Sequence, residues 1–123
     1  MRSIDLHAEQ DTLCRRIHEF AKLEAGWNGD DSVAPNEAVI AEACKIVREL
    51  PDNAQLPHVS PSADGEIGLS WLSGNKRLEA LIQPEGYLVL VRALDHQLTP
   101  VAEINLRERS SSPLLEEVAA LYR

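Results

Sequence analysis

The side chains able to do chemistry fall into three groups along the 123 residues. The first is His7, Asp11, Cys14 and His18, whose spacing puts them on one face of a helix. Cys14 with His18, or His7 with Asp11, has the spacing to share a metal ion. All four together do not, because they stretch over about 16 Å along a helix, and a zinc site wants three or four converging ligands. Cys14 beside His18 also has the composition of a thiolate and its base. A working pair needs an oxyanion hole and a third group to orient the base. The sequence offers no nucleophile-elbow glycines, and Cys14 sits mid-helix rather than at a helix N-terminus, where thiols are activated. The expected role of this face is a margin of the core.

The second group is Asn28-Gly29-Asp30-Asp31-Ser32, with side-chain oxygen at 28, 30 and 32. It resembles the start of a calcium loop. An EF-hand requires glycine at its sixth position and a bidentate glutamate at its twelfth. Those positions hold Val33 and Val39. The run reads instead as a turn into a helix, with acids near the helix's positive end. The third group is Asp64 and Glu66, which flank Gly65. Paired carboxylates can do acid–base work, but two acids around a turn glycine are expected to be solvated. There is no phosphate-cradling glycine loop and no Ser-His-Asp arrangement with a local signature. No enzyme activity and no cofactor are expected.

The polar loops fit contact better than catalysis. Aromatic and acidic side chains on loops more often bind than pack. The expected contact residues are Trp27, Asn28, Asp30 and Asp31 from one loop, and Ser60, Asp64 and Glu66 from the other. Trp27 has two readings: a plug closing the gap between helices and sheet, or an exposed anchor of the type that dominates interfaces. Trp71 alternates with Ile67 and Leu69 and reads as core.

Twenty acidic and twelve basic residues give a net charge of -8. That balance argues against direct nucleic-acid binding, which needs clustered Lys and Arg, and against docking on an anionic membrane. It suits a basic protein partner, or mimicry of nucleic acid, as well as plain solubility. Cys14 and Cys44 form no CxxC pair, so reduced thiols in a cytoplasmic protein are expected. The N-terminal residues lack an apolar leader core, and no apolar run is long enough for a membrane span.

These groups need elements to position them. Leu6, Leu13, Ile17, Phe20 and Ala21 predict an amphipathic helix over about residues 5–24, ended by Gly26. Val39, Ile40, Ala43, Val47 and Leu50 predict a second helix, with Pro35 at its first position and Pro51 as its stop. Residues 51–57 read as a linker. From residue 65 the apolar period changes to two. Strands are expected from about residue 65 to the turn at Gly74-Asn75, and at about 76–83, 87–94 and 100–106, with a second turn at Pro84-Glu85-Gly86. The 87–94 strand is apolar on both faces. If one sheet face is open, Leu88 and Leu90 are expected to seek a partner or a dimer mate there. Ser112 and Pro113 then open a last helix. Grouped rather than alternating elements predict an α+β domain spanning residues 1–123: two N-terminal helices, a four-stranded antiparallel meander and a C-terminal helix.

Gly26-Trp27-Asn28-Gly29, Ala34-Pro35, Leu50-Pro51 and the run from Pro57 to Trp71 together form a pattern. It resembles a group of small bacterial proteins that share Gly-Trp-(Asp/Asn)-Gly, Ala-Pro, Leu-Pro and Pro-x-Val-Ser-Pro-(Ser/Thr)-x-Asp-Gly-x-Ile-x-Leu-x-Trp. The resemblance covers about residues 23–90 and supplies no activity. It implies a short accessory product working beside a larger partner. The reading that follows is a non-enzymatic interaction protein of the bacterial cytoplasm: an inhibitor, antitoxin, immunity protein or chaperone-like accessory. The expected partners are another protein, a basic one in particular, or a second copy of the chain. The alternatives are a small metal-dependent enzyme or ligand-binding protein using Asp30, Asp31, Asp64 and Glu66, and an acidic nucleic-acid mimic.

Overall fold

In the computed structural model, residues 3–29 and 31–123 are described, with side chains described from Ala8 onward. The order is α1 (Ser3–Glu19), a short 3-10 turn (Phe20–Lys22), α2 (Glu37–Arg48), β1 (His58–Pro61), β2 (Ile67–Ser73), β3 (Lys76–Ile82), β4 (Tyr87–Leu94), β5 (Gln97–Asn105) and α3 (Ser112–Leu121). The α+β class is as expected, but the sheet has five strands rather than four, in the order β1-β2-β3-β4-β5 and antiparallel throughout. The extra strand is β1. It comes from the proline-flanked run that reads in sequence as a loop, and it exists because its backbone pairs with β2, His58 opposite Ser70 and Pro61 opposite Ile67. Four residues carry too little alternation to announce a strand.

Helix starts also shift. Pro35 lies before α2, and the cap is Asn36, whose side-chain oxygen accepts from the Val39 N–H at 2.9 Å. Buried Ser111, not Ser112, holds the N-cap position of α3, without a capping bond from its side chain. The first helix ends at Glu19 and tightens into the 3-10 turn before reaching Gly26.

One sheet face is buried beneath the helices. Ile67, Leu69 and Trp71 from β2, Leu78, Ala80 and Ile82 from β3, Leu88 and Leu90 from β4, and Ile104 from β5 join Leu13, Ile17, Val39, Ala43, Ile46, Val47, Leu114 and Val118 in a single core. Leu88 and Leu90 are fully buried. This corrects the expectation that they lie on an open face. A strand apolar on both sides does not say which side meets the helices; the register does, pairing Leu88 with Ile82 and Ile104, and Leu90 with Ala80 and Ala102. Four polar ties fix the helices. Buried Gln10 donates to the Val47 carbonyl at 2.9 Å, linking α1 to α2. Arg48 pairs with Asp11 at 2.8 Å. The Tyr122 hydroxyl donates to the Leu72 carbonyl at 2.8 Å, and Arg92 pairs with Glu117. No helix among the described residues is long and apolar enough to cross a membrane.

The β4–β5 turn carries a local cost. Asp95 (φ 50°) and His96 (φ 71°) are both left-handed without glycine, a conformation that disfavours L-residues by roughly 1–2 kcal/mol. Asn75 braces the turn by donating to the Asp95 carboxylate at 2.8 Å. His96→Gly is expected to raise the urea midpoint, with a gain up to about 1 kcal/mol. An unchanged or lower midpoint would mean that His96 is held by contacts worth more than its backbone strain.

Candidate functional site: a rim made of two joined loops

The structure joins the two loops that stand out in the sequence. The first, from Gly26 to Val33, closes on Ser32, which is buried. The Ser32 hydroxyl accepts from the Asn28 N–H at 2.8 Å and donates to the Gly29 carbonyl at 2.8 Å, while its own carbonyl accepts from the Gly26 N–H at 2.9 Å. The serine thus satisfies backbone groups that a tight turn would otherwise leave unpaired. Trp27 closes the loop from the other side, its indole N–H donating to the Val33 carbonyl at 2.9 Å. The second loop is centred on Ser62. The Ser62 hydroxyl lies within bonding distance of the Asp64 N–H (3.3 Å), the Glu66 N–H (3.2 Å) and the Glu66 carboxylate (3.2 Å).

Val33 joins them. Its N–H donates to the Ala63 carbonyl at 2.9 Å, and it forms a parallel bridge with Asp64. Gly65 makes the close approach possible. It sits at φ 79°, and a Cβ there would lie 3.2 Å from Val33 Cγ2 and 3.3 Å from the Ala34 carbonyl. Trp27, Val33 and Asp64 are therefore neighbours on one rim.

The expected contact residues divide as follows. Asn28, Asp31 and Asp64 are exposed on the rim, and Trp27 is half-buried. Trp27 is thus neither a full core plug nor a free anchor: its ring edge is committed to the loop while part of its surface stays accessible. Glu66 is half-buried and acts as a brace for Ser62. Asp30 lies outside the described residues. Ser60 is exposed on β1 and lines the sheet face opposite the helices. Val33, 48% exposed, was missed. A β-branched residue between an acidic turn and Ala-Pro was the only signal for it.

The open sheet face forms a trough of about 770 Å³. It is lined by strand residues alone, among them His58, Ser60, Leu72, Arg77, Glu79, Leu81, Val89 and Val91. These residues share the face because each alternates with a core residue along its strand.

The thiols face each other between α1 and α2. Each donates its S–H to the other's backbone carbonyl, Cys14 to Cys44 at 3.8 Å and Cys44 to Cys14 at 3.7 Å, and both are buried. Burial, with the neighbouring Cys14 second, pushes the Cys44 thiol up to about 12. Such a thiol is the reverse of an activated nucleophile. Cys14 is more deeply placed than the core margin expected of it, and exposed His18 is no part of the thiol pair. His7 falls where side chains are not described. Among the described residues no three His, Cys, Asp or Glu side chains converge as metal ligands.

The raised thiol value has a consequence for stability. The folded state holds the proton more tightly than the unfolded chain, so this contribution is complete below the ordinary thiol value of 9.0 and is lost as pH rises toward about 12. Cys44→Ala is expected to flatten the fall in stability between those limits, by up to about 1.4 kcal/mol per pH unit. Parallel urea titrations of the two proteins check it. Identical slopes would show that Cys44 ionises freely in the folded state.

No family model, curated protein or solved structure matches this chain.

The geometry at the rim is therefore the ground for a functional reading. It offers exposed carboxylates, a half-exposed indole and an exposed valine on a braced backbone.

Proposed function

We propose that this chain is a non-enzymatic protein-interaction module of the bacterial cytoplasm. It acts as an inhibitor, antitoxin, immunity protein or accessory by occluding a basic partner. The observation that supports this most is the Val33–Ala63 hydrogen bond of 2.9 Å. It turns two loops into one rim, so that Trp27, Asn28, Val33, Asp31 and Asp64 are presented together. A rim braced by its own hydrogen bonds loses less conformational entropy on binding than free loops would. The net charge of -8 speeds encounter with a basic surface, and the carboxylates set orientation. The indole and Val33 supply the apolar contact that charges on a rim do not.

The test is selective capture. The immobilised protein and a D31K/D64K variant are exposed to host lysate, beside a control E37K/E116K variant with the same change in charge. Glu37 and Glu116 are exposed helix residues outside both loops. The same basic partner should be held by the native and control proteins, lost from D31K/D64K, and released by raised salt. Equal retention by all three, or turnover of a substrate by the pure protein, would overturn the reading.

Trp27→Phe refines the test. It keeps the ring and removes the N–H to Val33. Capture is expected to weaken about tenfold, with a stability loss of about 1 kcal/mol, measured by titration calorimetry and urea denaturation. Unchanged capture would place the indole N–H outside the binding geometry.

A further inference from the structure

The open face of the sheet has a composition unlike the rest of the molecule. Its trough is lined by Leu72, Leu81, Val89 and Val91, with Leu72 54% exposed. Among the described residues, Arg77 and Glu79 are the Lys, Arg, Asp or Glu side chains that line it, and they pair at 3.4 Å and cancel. On a chain of net charge -8, the centre of this face is close to neutral and largely apolar, with exposed Glu103 of β5, opposite Val89, at its side. A basic partner finds little net charge at this centre, and a second acidic copy meets little repulsion there.

The position of the ion pair adds a geometric argument. Arg77 and Glu79 lie on β3, the central strand of five, two residues apart and on the same face. Opposite charges placed this way at the centre of a face complement themselves under a two-fold axis that passes between them. Arg77 of one copy then opposes Glu79 of the other, twice over. The four charges form a closed network surrounded by apolar side chains, the setting in which ion pairs contribute most to register. The sheet edges are blunted against association by strand pairing. Edge strand β1 ends in Pro61, and edge strand β5 carries Pro100 beside a register shift opposite Leu90 and Val91. Association through this sheet is therefore directed to its face.

We propose that two copies of this chain pack face to face through the open side of the sheet, with Arg77 and Glu79 exchanging partners across a two-fold axis. This inference is independent of the acidic rim.

Sedimentation equilibrium tests it. At roughly 100 µM the native protein should have a mass near twice 13.6 kDa. It should keep that mass as salt rises from about 0.05 M to about 0.5 M, since screening also relieves the repulsion between acidic copies. R77E alone and E79R alone should each be monomeric, with association weakened about 100-fold by like charges at the centre. Mixing the two variants should restore a dimer that neither forms alone, and the double variant R77E/E79R should dimerise with itself. The mixing result also shows that both single variants are folded. D31K/D64K should remain dimeric. A native monomer at this concentration, dimeric single variants, or a mixture that stays monomeric would overturn the proposal; the first of these would leave the face to a different protein.

Discussion

Replacing Trp71 with alanine is expected to cost about 3–5 kcal/mol, read as a lowered urea midpoint with an unchanged slope. Trp71 is 1% exposed on β2 and pairs across the sheet with Leu78, which is equally buried. It is the largest fully buried side chain. Truncation leaves a cavity beneath the helices that the surrounding leucines and isoleucines fill only in part. The indole also carries a cost. Its N–H is buried with no hydrogen-bond partner among the described residues, and an unsatisfied buried donor disfavours the folded state by about 1–3 kcal/mol. Trp71→Phe removes that donor together with part of the ring volume. The two changes oppose each other, so Trp71→Phe should cost less than about 1.5 kcal/mol. If phenylalanine proves as damaging as alanine, the indole N–H is satisfied in solution, and the residue is retained for that bond as well as for its bulk.

Gly65→Ala carries the second large effect. At φ 79° any side chain is strained, by roughly 1–2 kcal/mol. The added methyl would also press on Val33 Cγ2 at 3.2 Å and on the Ala34 carbonyl at 3.3 Å. The latter is backbone and cannot rotate away. A combined loss of about 2–4 kcal/mol is expected. Its location matters as much as its size. The contact that must give way is the junction of the two loops, so amide exchange at Val33, whose N–H donates to the Ala63 carbonyl, should quicken more than exchange in β3. The same variant should lose partner capture while keeping the sheet-face dimer, because the Arg77–Glu79 pair lies on a different surface. Unchanged stability, with slow exchange at Val33, would show that the loops are not held together through Gly65.

These effects mark where the sequence was readable. Ile67, Leu69 and Trp71 alternate, and all three are buried. Gly74-Asn75 and Pro84-Glu85-Gly86 turn the chain where their backbone preferences require. Val39, Ile40, Ala43 and Val47 share the buried stripe of α2. Local chemistry dominates at such positions. It was insufficient at β1, which depends on pairing with β2, and at the β4–β5 turn, where Asp95 and His96 adopt left-handed angles without glycine. At β4, two apolar faces left the choice of buried side to the register, and Leu88 and Leu90 proved to be core.

The rim shows the same division. Asn28, Asp31 and Asp64 were recognisable as surface residues because charged and amide side chains resist burial. That they share a surface with Val33 was legible in neither loop alone.

Composition and periodicity by themselves determined an acidic α+β chain with its helices, four of its strands and most of its core, because burial of apolar side chains follows from spacing along one element. Only the tertiary structure decided which sheet face is covered, that Ser32 and Ser62 each organise a loop, and that Val33 and Gly65 join those loops. The junction rests on a hydrogen bond and a close contact between residues some thirty positions apart, and the serine bonds, though they span only two to six positions, form only once the loop backbone is folded; no local preference encodes a contact whose two halves are formed separately.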